Sequence, residues 1–205
     1  MTKDWTGNHV AYSKTLGASS HADHDREQHD YYATEPKAVR LLLEIEKFEG
    51  TIWECACGEG SLSEEMKRLG YEVYSSDLVN RGYGEQLDFL SDKIELVLSS
   101  TNKTINMNIV TNPPYRYANE FIVRALSIIK TGKKLALFLP IRYLEGKARK
   151  KIFAAYPPKK IWVSSSRLIC AMNGEFDKQK GSAVSYAWFV WEKGYEGSTI
   201  IDWFN

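Results

Sequence analysis

The apolar run Ile105-Asn106-Met107-Asn108-Ile109-Val110-Thr111 stops at Asn112-Pro113-Pro114-Tyr115. No other stretch constrains the fold as strongly. A proline fixes its φ at about −65° and has no backbone N–H. Two in succession end a paired strand and force a stiff loop. The run before them, with its β-branched residues, reads as a buried strand. The loop after it offers carbonyl oxygens and few donors. Asn112 adds an amide carbonyl and Tyr115 a flat aromatic face. Two acceptors beside a π-face suit a planar group that carries an NH2, such as a nucleobase edge or a carboxamide. A plain turn has the same local signature, so the meaning of the tetrapeptide depends on its surroundings.

Those surroundings alternate between strand and helix. Thr51 to Ala56 is a short apolar run that contains Glu54 and Cys55. Cys57-Gly58-Glu59-Gly60 follows as a turn, and Ser61 to Leu69 reads as a helix closed by Gly70. Glycines at Gly58 and Gly60 permit close approach to the backbone, and the N–H groups of a helix start attract an anion. Tyr71 to Asp77 reads as the next strand, with Asp77 at its carboxyl tip. Nucleotide-binding α/β folds place a ribose-binding acid there. Asp88 can accept from an adenine amine and Phe89 can pack on the ring, or Phe89 can be core and Asp88 solvated.

Downstream, Phe121, Ala125, Ile128 and Ile129 mark a helix, and Leu135 to Pro140 a buried strand. Lys147, Arg149 and Lys150 lie in a basic helix that suits phosphate contact or a solvated face. Ile161 to Val163, Val184 to Trp191 and Thr199 to Phe204 read as further strands. Between them, Arg167 to Ser182 is a polar loop with Asn173 and Lys178. A loop that long inside a compact domain is more often functional than idle. Upstream, Thr34 is placed to cap a helix with Pro36 in its first turn, and Ala38, Leu41, Leu42 and Ile45 give that helix its apolar face.

Alternation of this kind implies a mostly parallel sheet covered on both faces. Ligands of such sheets bind at the carboxyl ends of the strands. Glu54, Gly58, Asp77, Asp88 and Asn112 all fall at or just past predicted strand ends.

The 205 residues suit one domain at 31–205, preceded by a polar arm at 1–30. A net charge of +1 excludes a global basic field, so any nucleic-acid surface is a local patch. Three cysteines, Cys55, Cys57 and Cys170, complete no zinc site. The odd count and the lack of a leader suggest a reduced, cytoplasmic protein. No apolar stretch is long enough to span a membrane.

Taken together, the motifs resemble those of S-adenosylmethionine-dependent amino-methyltransferases. Glu54-x-x-x-Gly58-x-Gly60 is similar to their cofactor loop, Asp77 to the ribose acid, Asp88-Phe89 to the adenine pair, and Asn112-Pro113-Pro114-Tyr115 to the catalytic (D/N)PP(Y/F) motif. Tyr31-x-x-Thr34 resembles the additional N-terminal motif of DNA adenine methyltransferases, with Glu35 before Pro36 where a Thr-Pro step is common. The likeness spans residues 29 to 193 and is greatest to small phage and prophage DNA adenine N-6 methyltransferases.

This resemblance implies a Rossmann-like α/β fold with a mostly parallel seven-stranded sheet. It implies S-adenosylmethionine as cofactor, held by Tyr31, Tyr32, Thr34, Glu54, Cys55, Ala56, Gly58, Gly60, Asp77, Leu78, Asp88, Phe89 and Asn112. Catalysis falls to Asn112, Pro113, Pro114 and Tyr115. Asn112 and the Pro113 carbonyl would accept the amine hydrogens, and Tyr115 would stack on a flipped base. Tyr115, Lys147, Arg149, Lys150, Asn173 and Lys178 would contact DNA, in the bacterial host cytoplasm if the protein is phage-encoded. With no separate recognition segment, short or relaxed sequence specificity is expected. The same tetrapeptide serves enzymes acting on RNA adenine and protein glutamine, and a catalytically idle DNA- or cofactor-binding protein is a further alternative. Cys55 and Cys57 belong to the cofactor strand and loop and read as packing.

Overall fold

The computed structural model describes residues 32–91, 94, 104–172 and 184–205. Its centre is a sheet of β2 (Ile52–Glu54), β3 (Val73–Asp77), β4 (Glu85–Gln86), β5 (Asn108–Thr111), β6 (Lys134–Pro140), β7 (Lys160–Ser164), β9 (Tyr186–Glu192) and β10 (Ile200–Phe204). The order is β10-β7-β9-β6-β5-β2-β3-β4. Only β9 runs antiparallel to its neighbours, β6 and β7. The sheet therefore has eight strands where seven were expected. The two-residue β4 pairs with β3, and β10 adds a parallel edge beside β7. A second, two-stranded sheet pairs β1 (Tyr32–Thr34) antiparallel with β8 (Cys170–Met172).

Strand alternation builds the core. Along β6, Leu135, Leu137 and Leu139 face one cluster, and Ala136 and Phe138 the other. Along β9, Ala187, Phe189 and Trp191 face the first, and Tyr186, Trp188 and Val190 the second. This period of two is what a pleated strand imposes, and both faces are apolar because helices cover both. On the first face lies α3 (Ala118–Ile128), through Phe121, Ile122 and Ala125. On the second lie α1 (Pro36–Ile45) and α2 (Ser61–Arg68), through Val39, Leu42, Leu62 and Met66. The indole N–H of the fully buried Trp188 donates to the Ala38 carbonyl at 2.9 Å, which satisfies its one polar atom.

Three boundaries differ from the sequence reading. The stretch from Arg167 to Ser182, read as a loop, contains β8. Thr34 is not the cap of α1: it is the last residue of β1, Glu35 occupies the cap position, and Pro36 begins the helix. The Glu35 carboxylate instead accepts the Ile169 N–H at 2.6 Å, while the Glu35 N–H donates to the Ile169 carbonyl at 3.0 Å. These bonds extend the β1–β8 ladder. The apolar run before the prolines is also shorter as a strand, because Ile105 makes only an isolated bridge to Ile129.

Strand β2 sits between β3 on one side and β5 on the other. The chain moves outward from β2 to β3 and then returns past β2 to β5. That reversal is the switch point at which open α/β sheets hold ligands, outside the carboxyl ends of the strands.

Candidate functional site

The carboxyl ends of β2, β3 and β5 converge at this switch point. Just past β5, Asn112 begins the proline loop, and Tyr115 opens a short 3-10 turn (Tyr115–Tyr117) that leads into α3. The Asn112 amide nitrogen donates to Thr34 Oγ1 at 2.8 Å. Cys170 Sγ lies 3.8 Å from the same Thr34 oxygen, 4.0 Å from Asn112 Nδ2 and 3.7 Å from the Tyr115 hydroxyl. Thr34 and Cys170 are register partners in the β1–β8 pair, so the small sheet closes directly over the proline loop. Tyr186, at the start of β9, completes the cluster, its ring 6.4 Å from that of Tyr115.

Burial pushes the titrations of Tyr115, Cys170 and Tyr186 upward, and their mutual proximity adds to this for the two tyrosines. All three are neutral at pH 7. These three side chains are thus neutral hydrogen-bonding groups, with Glu35 within electrostatic reach of Cys170 and Arg142 of Tyr186.

At β3, the Asp77 carboxylate accepts the Gly58 N–H at 2.8 Å on Oδ2. Its Oδ1 accepts the Val79 N–H at 2.9 Å and the Arg81 guanidinium at 3.1 Å. Gly58 and Gly60 both adopt left-handed backbone, with φ of 56° and 88°. A Cβ at Gly60 would lie 2.6 Å from the Tyr83 ring, so the close approach that Gly60 permits is made here by Tyr83. The Tyr83 hydroxyl in turn accepts from Lys67 at 2.7 Å and donates to Glu64 at 2.5 Å. Beside the glycine turn, a cavity of about 480 Å³ is lined by Pro36, Glu59, Gly60, Ser61, Glu64, Glu65 and Arg68. It is open to solvent rather than enclosed, and none of Gly58, Asp77 and Asn112 lines it.

Glu54 ends β2 but is only 2 % exposed. Its carboxylate accepts from Ser63 Oγ on α2, and Ser63 Oγ lies 2.6 Å from Ser75 Oγ on β3. Burial raises its pKa to about 8, against the lowering effect of the Ser63 bonds. Cys55 and Cys57 are buried thiols. Burial holds Cys55 well above its usual range and pushes Cys57 up to about 12, so neither is a thiolate nucleophile at neutral pH.

The other expected site residues separate. Ala56 is half-buried between Cys55 and Cys57, and Leu78 is exposed. Asp88 is exposed and accepts the Leu90 N–H in a local turn. Phe89 is buried, with its ring 5.2 Å from Trp53 and 4.8 Å from Phe121. Its side chain belongs to the core rather than to the open edge. Tyr32 lies on β1. Tyr31, Asn173 and Lys178 lie outside the described residues. In α4 (Lys147–Ala155), Lys147 and Lys150 are exposed. Arg149 is committed internally: it donates to the Arg142 and Glu145 carbonyls at 2.8 and 2.7 Å and covers the Tyr143 ring at 4.5 Å.

Several residues of the site had no individual signal in the sequence. The Thr34–Cys170 contact depends on pairing across more than a hundred residues, and Tyr186 reaches Tyr115 only through the β6–β9 pairing. Arg81 follows Asp77 at a spacing of four, which any turn permits. Arg116 and Arg142 occupy the 3-10 turns after β5 and β6 (Tyr115–Tyr117 and Ile141–Leu144), and both are exposed. Arg142 lies within electrostatic reach of Tyr186, and the Tyr143 hydroxyl bonds Asn119 at the start of α3, which ties the two turns together. Among the described residues no helix is long and apolar enough to cross a membrane, and no group of three His, Cys, Asp or Glu residues could hold a metal ion.

No protein-family model and no curated protein matches this sequence. Solved structures do match its fold. One is a modification subunit assigned to a type I restriction enzyme of Vibrio vulnificus YJ016, at TM-score 0.59 and 12% identity, covering 95% of this chain and 50% of that one. The chain thus spans half the length of that subunit. A predicted O-methyltransferase from Agrobacterium tumefaciens matches at TM-score 0.52 and 14% identity, over 80% of this chain and 84% of the other. A TehB-like SAM-dependent methyltransferase from Corynebacterium glutamicum matches at 0.50 and 12%, over 90% and 97%. Strand order, crossover pattern and these likenesses agree on one conclusion: the chain has the Rossmann-like fold of class I S-adenosylmethionine-dependent methyltransferases.

Proposed function

We propose that this chain transfers a methyl group from S-adenosylmethionine to the exocyclic amine of adenine in DNA. The observation that carries this reading is the Asn112 loop, at the carboxyl end of the central strand and beside the Asp77–glycine pair. The fold supports a methyltransferase. DNA as acceptor is supported by the likeness to a modification subunit of a restriction system.

Asp77 and the Gly58 turn fit the cofactor. They provide a buried acceptor for ribose hydroxyls at the carboxyl end of β3. A carboxylate has about four lone-pair sites. Three are already taken here, so holding two ribose hydroxyls would require one of these bonds, such as that from Arg81, to open. When bound, S-adenosylmethionine supplies an electrophilic methyl group, whose carbon–sulfur bond breaks as the adenine nitrogen takes it.

The residues of the chain do the rest. Asn112 Oδ1 and the Pro113 carbonyl accept the two amine hydrogens and turn the nitrogen lone pair out of conjugation with the ring. The half-buried Tyr115 is anchored through its hydroxyl on Cys170 and gives the flipped base a stacking surface, worth on the order of 1–3 kcal/mol. No strong base is needed, because the alkylated nitrogen loses its proton to water. Catalysis here is positioning and electrostatics. Exposed Arg116 and Arg142, with Tyr117 beside Arg116 at 5.0 Å, take the phosphates that flank the flipped base.

The test is transfer of radiolabelled methyl to unmethylated DNA, RNA and a protein lysate side by side, with Asn112→Ala as control. Label in DNA alone, abolished in the variant while cofactor affinity stays near normal, is expected. Label in RNA or protein would replace the substrate. Cofactor binding with no label anywhere would favour an idle binding protein.

A further inference from the structure

We propose that Thr34 is a positioning residue for Asn112, orienting its side-chain amide, and not a contact to the cofactor; this rests on the transfer reading above. The Thr34 hydroxyl is 2.8 Å from Asn112 Nδ2, and the residue is 2 % exposed. Its oxygen therefore accepts the Asn112 N–H inside the protein. The same oxygen is 3.8 Å from Cys170 Sγ, which ties it to β8 as well as to the proline loop.

The terminal torsion of an asparagine is broad and roughly two-fold. Backbone alone therefore does not decide which end of the amide meets the substrate. The prolines fix the path of the loop, and Thr34 holds the nitrogen end of the amide against the small sheet. The carbonyl oxygen lies at the other end of the amide, turned away from Thr34 and itself buried. Glu35 contributes at one remove: its two bonds to Ile169 lock β1 to β8 and so fix the height of Thr34 over the loop. The departure from a Thr-Pro step thus has a structural use in this chain.

The test compares wild type with Thr34→Val, Thr34→Ala and Thr34→Ser. An ordinary hydrogen bond is worth roughly two- to tenfold, and lost alignment of a reacting group adds to that. Valine and alanine should each lower kcat on unmethylated DNA about tenfold. Cofactor Kd by calorimetry and KM for DNA should stay within about twofold. Serine should restore kcat to within about twofold. If valine fails to fold, alanine decides.

A second readout is independent of activity. With 15N-asparagine labelling, the side-chain NH2 pair of Asn112, identified by its loss in Asn112→Asp, should shift in Thr34→Val and return in Thr34→Ser. Unchanged Asn112 resonances in the valine variant would overturn the proposal. So would a rise in cofactor Kd that accounts for the whole fall in kcat/KM, since Thr34 would then be a cofactor contact. If wild type labels neither DNA, RNA nor protein, the transfer reading fails, and the amide resonances alone decide the Thr34–Asn112 bond.

Discussion

Replacing Glu54 with glutamine should remove a pH dependence that burial builds into the fold. The carboxyl group titrates at about 8 in the folded chain against an ordinary value of 4.5, because β2, α2 and β3 enclose it. Between these values the folded state holds a proton that the unfolded state has released. Stability therefore falls as pH rises, by about 1.4 kcal/mol per unit. From pH 5.5 to 7.5 this amounts to about 3 kcal/mol, a large part of the roughly 5–15 kcal/mol typical of a folded domain. Glutamine has nearly the same shape, still accepts from Ser63 and has no charge to gain. Urea unfolding of both proteins at pH 5.5, 6.5 and 7.5 gives the comparison. Wild type should lose about 3 kcal/mol relative to Glu54→Gln over that span. Two curves that remain parallel would refute the reasoning, and would mean that water or a cation reaches the carboxylate.

Gly60→Ala should cost about 2–3 kcal/mol, since alanine at φ 88° is strained and its Cβ meets the Tyr83 ring. In a Tyr83→Ala background the cost should fall to about 1 kcal/mol; additive denaturation midpoints would exclude the contact. Arg116→Ala and Arg142→Ala should each raise KM for DNA several-fold, leave kcat unchanged and reduce the salt slope of binding by about one. An unchanged slope would remove that arginine from the DNA surface.

The parts legible in the sequence were those written in local pattern. The buried run Leu135 to Pro140, the helical spacing of Ala38, Leu42 and Ile45, and the glycine turn each follow from a few adjacent residues. Asp88-Phe89 shows where local pattern leaves two readings open. The two adjacent side chains diverge here, Asp88 to solvent and Phe89 to the core, which is the second of them. Gly60 shows a second limit. A glycine records that something comes close to the backbone without recording what; here it is the Tyr83 ring.

Asn112 combines both kinds of information. Its loop is local: Pro113 and Pro114 restrict the backbone through their own rings. Its amide orientation is not, since the partner is Thr34, seventy-eight residues earlier. Thr34 in turn is held by β8, which sits beyond β7 in the chain. A two-residue slip between β1 and β8 would leave every local motif in place and still separate Thr34 from Cys170. The register of that short pair is therefore as much a determinant of the site as the tetrapeptide, and the bonds between Glu35 and Ile169 are what fix it.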